Sequence, residues 1–251
     1  HLHGLALGLY GTLYTAGNAV LLDRFDAKVV LAALSAHRIS VFMGVPTMYH
    51  RMTEVPGEFS YATMRLFTSG SAPLSRETFR RFEDQSGFRI VERYGLTETA
   101  INTSNPLNGE RRPGTVGPAL RGTQVEIFDP ETLDCLEKGR TGEIWVKGPN
   151  VFTGYWKNPG ATEPAFCKGW FRTGDLGYLS EDGYLTINGR MKELIIVGGT
   201  NVTPGEVESV VEPEAGVREC AVVGLPDRDL GEKVGVFIVP QEGQDPVLLE
   251  K

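Results

Sequence analysis

The segment GWFRTGDLGYLSEDGYLTINGRMKELIIVGG, residues 169–199, places one aspartate beside a glycine, then an arginine and a lysine fifteen and seventeen residues later. We predict a tight turn at residues 173–175, followed by a hairpin. The carboxylate of Asp175 could accept two hydrogen bonds from the vicinal hydroxyls of a ribose. Arg190 could join the same sugar or neutralise the acid, because a lone buried carboxylate is costly. The plainer interpretation is an aspartate in an ordinary turn and an arginine at a domain edge.

Upstream of this segment, helical patterns alternate with short apolar strand patterns. Helices are predicted at residues 5–14, 27–36, 46–51 and 75–86. Strands are predicted at residues 18–22, 39–46, 64–70 and 88–95. Pro46 suits the first turn of a helix, and Ser75 suits an N-cap. This alternation predicts an α/β fold with parallel-sheet layers and helices. Ligands in such sheets bind beyond the carboxyl ends of the strands.

The pattern changes from about residue 117, where short β segments follow one another. They lie at residues 123–129, 142–149 and 183–189. After residue 190, strand patterns accompany a helix at residues 204–212, which is typical of a compact α+β unit. We therefore predict that residues 1–190 belong to a large N-terminal domain, with a β-rich subdomain at about 117–190. Residues 191–251 are predicted to form a truncated small C-terminal domain.

Composition limits the class of protein. Apolar residues make up 41% and charged residues 23% of 251 residues, and the formal net charge is −7. An acidic chain of this kind is not expected to bind nucleic acid or an anionic membrane through its overall charge. The three cysteines lack the spacing of a metal site or a disulfide framework. No segment is long and apolar enough for a membrane span, and no signal peptide is visible. The expected compartment is intracellular and cytoplasmic, with the mitochondrion as the alternative.

Two segments are predicted at the carboxyl ends of strands in this sheet. TSGSAPL, residues 68–74, lacks the lysine of a triphosphate-binding loop, yet its glycine could let a flat ring approach the backbone closely. ERYGLTET, residues 92–99, offers Tyr94 to stack on a base, Thr97 to bind a phosphate and Glu98 to hold Mg²⁺. The alternatives are a structural turn in the first segment and a strand end with a capped helix in the second.

Four segments in order give the sequence a family resemblance. They are YGLTE at residues 94–98, GEIWVKGPNVFTGYW at 142–156, WFRTGDLG at 170–177 and GRMKELIIVGGTNVTPGEVE at 189–208. In this order and spacing they resemble the adenylate-forming superfamily of acyl-CoA synthetases, peptide-synthetase adenylation domains and luciferases. The resemblance covers essentially the whole chain. It implies an AMP-forming acid–thiol ligase that uses ATP, Mg²⁺ and coenzyme A, with a small-molecule carboxylic acid as substrate. The oligomeric state stays unassigned.

The resemblance also implies roles for individual residues. The implied cofactor-binding residues are Gly70, Ser71, Ala72, Glu92, Tyr94, Gly95, Thr97, Asp175, Arg190, Gly198 and Gly199. Those at 70–72 would flank the adenine, and the paired glycines would line the pantetheine path. Thr97 and Glu98 are implied as catalytic, with Glu98 also the metal ligand, and Lys192 would be the hinge on which the small domain turns. Thr200 and Gly205 depart from residues common in relatives, which makes the thiol partner less certain than the use of ATP.

Two parts of the superfamily pattern are not in the sequence. The phosphate loop is expected upstream of His1, and the catalytic lysine is expected beyond Lys251. The chain is therefore expected to be a fragment with poor activity by itself. A non-catalytic nucleotide-binding fragment is the alternative from a different functional class.

The acid substrate is predicted from Arg51 and a more specific resemblance. Segments MGVPTMYHR, SGSAPL, ERYGLTETAINTSNP and PGTVGPAL are similar to those of the malonyl-CoA synthetases. Arg51 could hold the second carboxylate of malonate, or of methylmalonate, because arginine binds carboxylates bidentately. The other predicted substrate-binding residues are His1, His3, Ser69 and Leu96. The competing interpretation is a medium-chain or aryl acyl-CoA synthetase in which Arg51 faces solvent.

Overall fold

A computed structural model describes residues 3–212, 214 and 216–240, with the His3 side chain outside the described part. The chain divides into two compact units, each of which is discontinuous in sequence. Unit 1 comprises residues 1–126, 145–173 and 179–186, and unit 2 comprises residues 127–144, 174–178 and 187–251. The predicted domain boundary near residue 190 stays a prediction.

Unit 1 contains a four-stranded sheet in the order β1-β2-β3-β4. The strands are β1 Val41–Gly44, β2 Leu66–Ser69, β3 Val91–Tyr94 and β4 Thr103–Ser104. The first three are parallel, and β4 runs antiparallel to β3. Helix α2, Ala27–Ala36, precedes β1, and α3, Pro46–Thr53, and α4, Arg76–Ser86, connect the parallel strands. The predicted alternation and parallel sheet are therefore confirmed.

Local signals fix the ends of these helices. The Asp26 carboxylate accepts a hydrogen bond from the Val29 amide at the start of α2. Ser75 caps α4 in the same way by accepting from the Thr78 amide, as its sequence position predicts. Gly87 ends α4 in the left-handed conformation, with φ 74°.

Edge-to-face aromatic contacts run through the core of unit 1. Tyr49 and Phe67 are fully buried, and Phe82 is 1% exposed. Their rings meet edge to face, with centroids 5.1 Å apart for Tyr49 and Phe82 and 4.9 Å apart for Phe67 and Phe82. The Tyr49 hydroxyl donates to the Thr68 carbonyl at 2.7 Å, which ties α3 to β2 beneath the predicted ligand edge.

The N-terminal segment differs from its predicted structure. Residues His3–Tyr10 form a π-helix that continues into α1, Gly11–Tyr14. The predicted strand at residues 18–22 was wrong, because that segment is irregular and Leu21 is 75% exposed. No strand of the described chain pairs with it, and an apolar run cannot form a strand without a partner edge.

The β-rich region forms a five-stranded sheet in the order β5-β6-β8-β7, with β9 paired to β8. The strands are β5 Gln124–Phe128, β6 Gly142–Lys147, β7 Phe166–Cys167, β8 Trp170–Leu179 and β9 Leu185–Arg190, and α5, Pro159–Ala165, precedes β7. The predicted turn at residues 173–175 was wrong, because these residues lie inside β8. Gly174 keeps a left-handed φ of 71° within that strand, so the glycine creates a local irregularity and not a chain reversal.

The C-terminal part of unit 2 is a third sheet with one helix. The sheet order is β11-β10-β13-β12, and all of its pairs are antiparallel. After a 3₁₀ helix at Met191–Glu193 come β10 Ile195–Val197, β11 Thr200–Val202, α6 Pro204–Val211, β12 Val217–Asp227 and β13 Gly231–Pro240. Gly198 and Gly199, with φ of 55° and 85°, form the two-residue turn between β10 and β11. The predicted α+β character of this region is confirmed.

Candidate active site

Two of the predicted segments meet at one edge of the first sheet. Strands β2 and β3 are parallel neighbours, with Ser69 opposite Glu92. Residues 70–72 follow β2 directly, and residues 95–98 follow β3 directly. Because the carboxyl ends of parallel strands point the same way, both segments leave the sheet at the same edge.

Ser69 and Glu92 are buried polar residues with unused hydrogen-bonding capacity. They are 1% and 5% exposed, and they share a face of the sheet because they are opposite one another in register. Ser69 Oγ and Glu92 Oε1 have no hydrogen-bond partner among the described residues. Such orphaned buried atoms are uncommon, and a polar ligand at this edge would satisfy them.

The environment of Glu92 favours its protonated form. Burial raises the pKa of the carboxyl to about 8, against the opposing effects of a hydrogen bond from the Gly114 backbone and the charge of Arg76. Arg76 lies against Gly114, since a Cβ added at that glycine would be 2.9 Å from Arg76 Nε. Near neutral pH, Glu92 is thus mainly a neutral acid with one oxygen unpaired.

The raised pKa of Glu92 predicts a pH-dependent stability. In the unfolded chain the Glu92 carboxyl has its ordinary pKa of 4.5, whereas in the folded protein its pKa is about 8. The free energy of unfolding should therefore fall as pH rises through that window, by a few kcal/mol at most. Glu92→Gln should remove this part of the pH dependence in urea unfolding, while Glu77→Gln, at an exposed position in α4, should retain it. Parallel pH profiles for the wild type and Glu92→Gln would contradict this prediction.

The turn after β3 is closely packed. The Tyr94 carbonyl accepts from the Asn102 amide at 2.8 Å, and Thr99 Oγ1 accepts from the Leu96 amide at 3.3 Å. A Cβ added at Gly95 would lie 1.8 Å from the carbonyl oxygen of Ala100. Tyr94 is itself 8% exposed, and its predicted stacking on a base stays a prediction. Gly95 is thus required by the close approach of two backbone segments.

Glu98 is held by a segment far along the chain. Its carbonyl accepts from the Phe152 amide at 2.8 Å, and its Oε1 accepts from the Tyr155 hydroxyl at 3.0 Å. Thr97, beside it, is exposed. Our sequence reasoning missed Tyr155, although the GYW triplet that contains it was already one of the family segments.

In unit 2 the carboxylate of Asp175 and the guanidinium of Arg190 form an ion pair. Arg190 Nε lies 3.2 Å from Asp175 Oδ1, and the side chains are 51% and 7% exposed respectively. A mostly buried carboxylate is thus paired with a guanidinium that reaches solvent, the arrangement that the sequence predicted for these two residues. Lys192 is exposed in the 3₁₀ helix that follows, and its hinge role stays a prediction.

A second buried carboxylate in unit 2 was missed by sequence reasoning. Glu143 in β6 is 2% exposed, and its Oε1 accepts from the Gly174 amide at 3.2 Å. This hydrogen bond stabilises the left-handed residue that immediately precedes Asp175. The only sequence signal was a glutamate set among apolar strand residues in GEIWV.

The remaining predicted substrate residues stay predictions. His1 and the His3 side chain lie outside the described residues. Arg51 is exposed on α3 and has no ion pair within the described part of the chain. Leu96 is half-buried in the turn after β3.

The described residues contain neither a membrane-spanning helix nor a cluster of metal ligands. Over residues 3–212, 214 and 216–240, no helix has the length and apolar character needed to cross a membrane. In that same portion of the chain, no group of three or more His, Cys, Asp or Glu side chains could hold a metal ion. Glu98 could still hold Mg²⁺ together with nucleotide phosphates, because one carboxylate is a common protein contribution to such a site.

Comparison with known proteins assigns the family. The AMP-binding enzyme family matches residues 1–156, and the AMP-binding enzyme C-terminal domain matches residues 206–251. The chain belongs to the AMP-binding enzymes. The predicted membership of the adenylate-forming superfamily is therefore confirmed.

Individual relatives span several acids. The chain is similar to ATP-bound MatB from Rhodopseudomonas palustris, with 46% identity and a TM-score of 0.92 over 97% of this chain and 49% of that one. It is 36% identical to a malonate–CoA ligase of Arabidopsis thaliana over 96% of this chain and 43% of that protein. It is also 34% identical to a long-chain-fatty-acid–CoA ligase of Bacillus subtilis (strain 168) over 97% of this chain and 44% of that protein. The chain thus spans about half the length of the curated relatives that it matches.

Proposed function

We propose that this protein acts in an ATP-dependent acid–CoA ligase of the AMP-forming type. In the first half-reaction, a carboxylate oxygen bonds to the α-phosphorus of ATP, and pyrophosphate leaves. In the second, the sulfur of coenzyme A bonds to the acyl carbon, AMP leaves, and the thiol proton passes to solvent. The products are an acyl-CoA thioester, AMP and pyrophosphate.

One observation carries the proposal most directly. The segments after β2 and β3 leave the sheet at a single edge, where Ser69 Oγ and Glu92 Oε1 are buried without partners. Unpaired Glu92 Oε1 could accept from the exocyclic amino group of adenine, while Ser69 Oγ could donate to the carboxylic acid. A site with buried polar groups of this kind discriminates strongly between ligands, because a ligand that lacks the matching atoms leaves those groups unpaired.

The remaining roles follow the chemistry of each side chain. Tyr94 and the backbone of residues 70–72 would enclose the base, Asp175 would bind the ribose hydroxyls with Arg190 beside it, and Thr97 would contact the α-phosphate. Mg²⁺, when bound with ATP, would offset the charge that develops on the phosphates. Glu98 suits that ion because its Oε2 has no partner among the described residues. Gly198 and Gly199 would line the thiol path, and Lys192 would be the hinge.

For the acid, we propose malonate, with methylmalonate as the close alternative. Arg51 lies on α3, which begins just beyond the carboxyl end of β1. Its position two residues after the buried Tyr49 turns it away from the core. A guanidinium without an ion pair in the described chain is available to a second carboxylate. Similarity to the malonate–CoA ligase supports this choice, whereas similarity to the fatty-acid ligase supports the alternative in which Arg51 faces solvent.

The substrate proposal predicts a selective effect of Arg51→Ala. Loss of one charge-assisted contact should lower kcat/KM for malonate about tenfold to a hundredfold, while AMP affinity stays unchanged. Pyrophosphate release by the full-length parent protein with malonate, methylmalonate, octanoate and benzoate provides the measurement. Arg80→Ala is the matched control, because Arg80 is also an exposed helix arginine. Undiminished malonate turnover in Arg51→Ala would reject the dicarboxylate role.

A nucleotide-binding protein without turnover is the second candidate function. Calorimetry with AMP and pyrophosphate release with ATP and each acid, both measured on the full-length parent protein, separate the two functions. AMP binding with pyrophosphate release supports the ligase. AMP binding with no release from any acid supports the second candidate, and absent AMP binding rejects both. The cytoplasmic location stays a prediction.

A further inference from the structure

The segment at residues 150–155 fastens the turn that carries Glu98. Asn150 Nδ2 donates to the Thr99 carbonyl at 2.7 Å. The Phe152 amide donates to the Glu98 carbonyl, and the Tyr155 hydroxyl donates to Glu98 Oε1. Two of these bonds fix the backbone of the turn, whereas the third acts on the carboxylate alone. The third bond is therefore not needed to anchor the turn, and it acts on the orientation of the Glu98 carboxylate.

Tyr155 is itself braced by its surroundings. Its amide donates to Thr162 Oγ1 at 2.9 Å, which ties it to α5. Its ring meets Phe152 edge to face at 4.8 Å, and Phe152 in turn stacks on Phe166 at 5.7 Å. A tyrosine has only two side-chain torsions to fix. The hydroxyl therefore reaches Glu98 from a well-defined position, even though the side chain is 37% exposed.

The type of donor matters for what Glu98 can still do. A phenol hydroxyl is neutral, so its hydrogen bond orients the carboxylate and leaves the negative charge in place. A lysine or arginine donor would instead cancel that charge. It uses Oε1, and Oε2 has no partner among the described residues. The carboxylate is thus held by one oxygen and open at the other.

We propose that Tyr155 is a positioning residue for metal binding, whose hydroxyl turns the Glu98 carboxylate so that Oε2 is presented to the Mg²⁺ of the bound nucleotide. This inference rests on the proposed role of Glu98. Hydrogen-bond partners behind a metal ligand commonly set its orientation and the affinity of the site. Tyr155 makes no contact with the substrate in this role and acts through Glu98 alone.

The test measures metal binding directly. Mn²⁺ replaces Mg²⁺, and water-proton relaxation reports its binding to the protein with α,β-methylene-ATP, which cannot release pyrophosphate. Tyr155→Phe should weaken Mn²⁺ binding about tenfold and raise the Mg²⁺ concentration needed for half-maximal turnover, with turnover at saturating Mg²⁺ little changed. AMP affinity without metal should be unaltered. The ring and its packing on Phe152 remain, so folding is retained and is checked by thermal unfolding.

Tyr184→Phe is the matched control, because its hydroxyl donates to the Glu110 carbonyl, which has no assigned role in binding. It should leave Mn²⁺ binding unchanged. Unchanged or tighter Mn²⁺ binding in Tyr155→Phe would overturn the proposal, and tighter binding would show that the hydroxyl competes with the ion.

A double-mutant cycle separates this inference from the proposed function. If Tyr155 acts through Glu98, Tyr155→Phe should have no further effect on Mn²⁺ binding in a Glu98→Gln protein. An equal loss in both backgrounds would overturn the inference while leaving Glu98 as a ligand. If Glu98→Gln itself leaves Mn²⁺ binding intact, the metal role of Glu98 fails and the inference fails with it.

Discussion

Asp175→Ala should weaken AMP binding by about a hundredfold or more, because the substitution removes two charge-assisted hydrogen bonds to the ribose hydroxyls. The Asp175 side chain is 7% exposed, and its Oδ1 lies 3.2 Å from Nε of Arg190, whose side chain is 51% exposed. A carboxylate paired with a guanidinium that reaches solvent can exchange part of that contact for hydrogen bonds from a diol. Isothermal titration calorimetry with AMP provides the measurement, and the effect should be the same whichever acid is the substrate.

Two further variants distinguish binding from structural damage. Asp229→Ala removes an exposed acid elsewhere in unit 2 and should leave AMP affinity unchanged. Asp175→Asn keeps the size and part of the hydrogen-bonding capacity, so its loss should be intermediate. Both variants should unfold at temperatures near that of the wild type. Wild-type AMP affinity in a folded Asp175→Ala protein would remove the ribose assignment and weaken the ligase proposal as a whole.

The elements that the sequence predicted well are those with strong local signals. Ser75 could be recognised as a cap because a serine before a helical pattern satisfies a free amide within three residues. The meeting of the segments after β2 and β3 could be predicted because alternating helices and strands give a parallel sheet, whose strand ends share an edge. In both cases the cause lies within a short stretch of chain or follows from the order of elements.

The features that sequence reasoning missed depend on partners far along the chain. Residues 18–22 have a strand-like composition, but no neighbouring edge among the described strands accepts them. Gly174 suggested a turn, yet the Glu143 carboxylate, 31 residues earlier, holds its amide within β8. Tyr155 and Glu98 are 57 residues apart. Neither pairing has a periodicity or a spacing rule that a single sequence could display.

Gly95→Ala should destabilise the protein by about 3 kcal/mol, at the upper end for added methyl groups, because the new methyl group overlaps backbone and not a movable side chain. The added Cβ would lie 1.8 Å from the Ala100 carbonyl oxygen and 2.9 Å from the Ile101 Cα. Relief requires the turn at residues 95–100 to open. The same turn carries Glu98, so residual folded protein should also bind Mn²⁺ and α,β-methylene-ATP poorly.

Urea unfolding of Gly95→Ala against Gly160→Ala tests this prediction. A Cβ at Gly160, within α5, would meet only Asn158 Oδ1, at 3.9 Å, so that variant should be neutral or more stable by about 0.5–1 kcal/mol through helix propensity. The contrast between the two glycines isolates steric overlap from the general entropic effect of adding a methyl group. If Gly95→Ala unfolds at the wild-type urea concentration, the backbone at Ala100 can move away from residue 95 at little energetic cost. The position of Glu98 then does not depend on a glycine at residue 95. If stability falls but metal binding per folded molecule is preserved, the turn supports the fold of unit 1 without setting the geometry of the carboxylate.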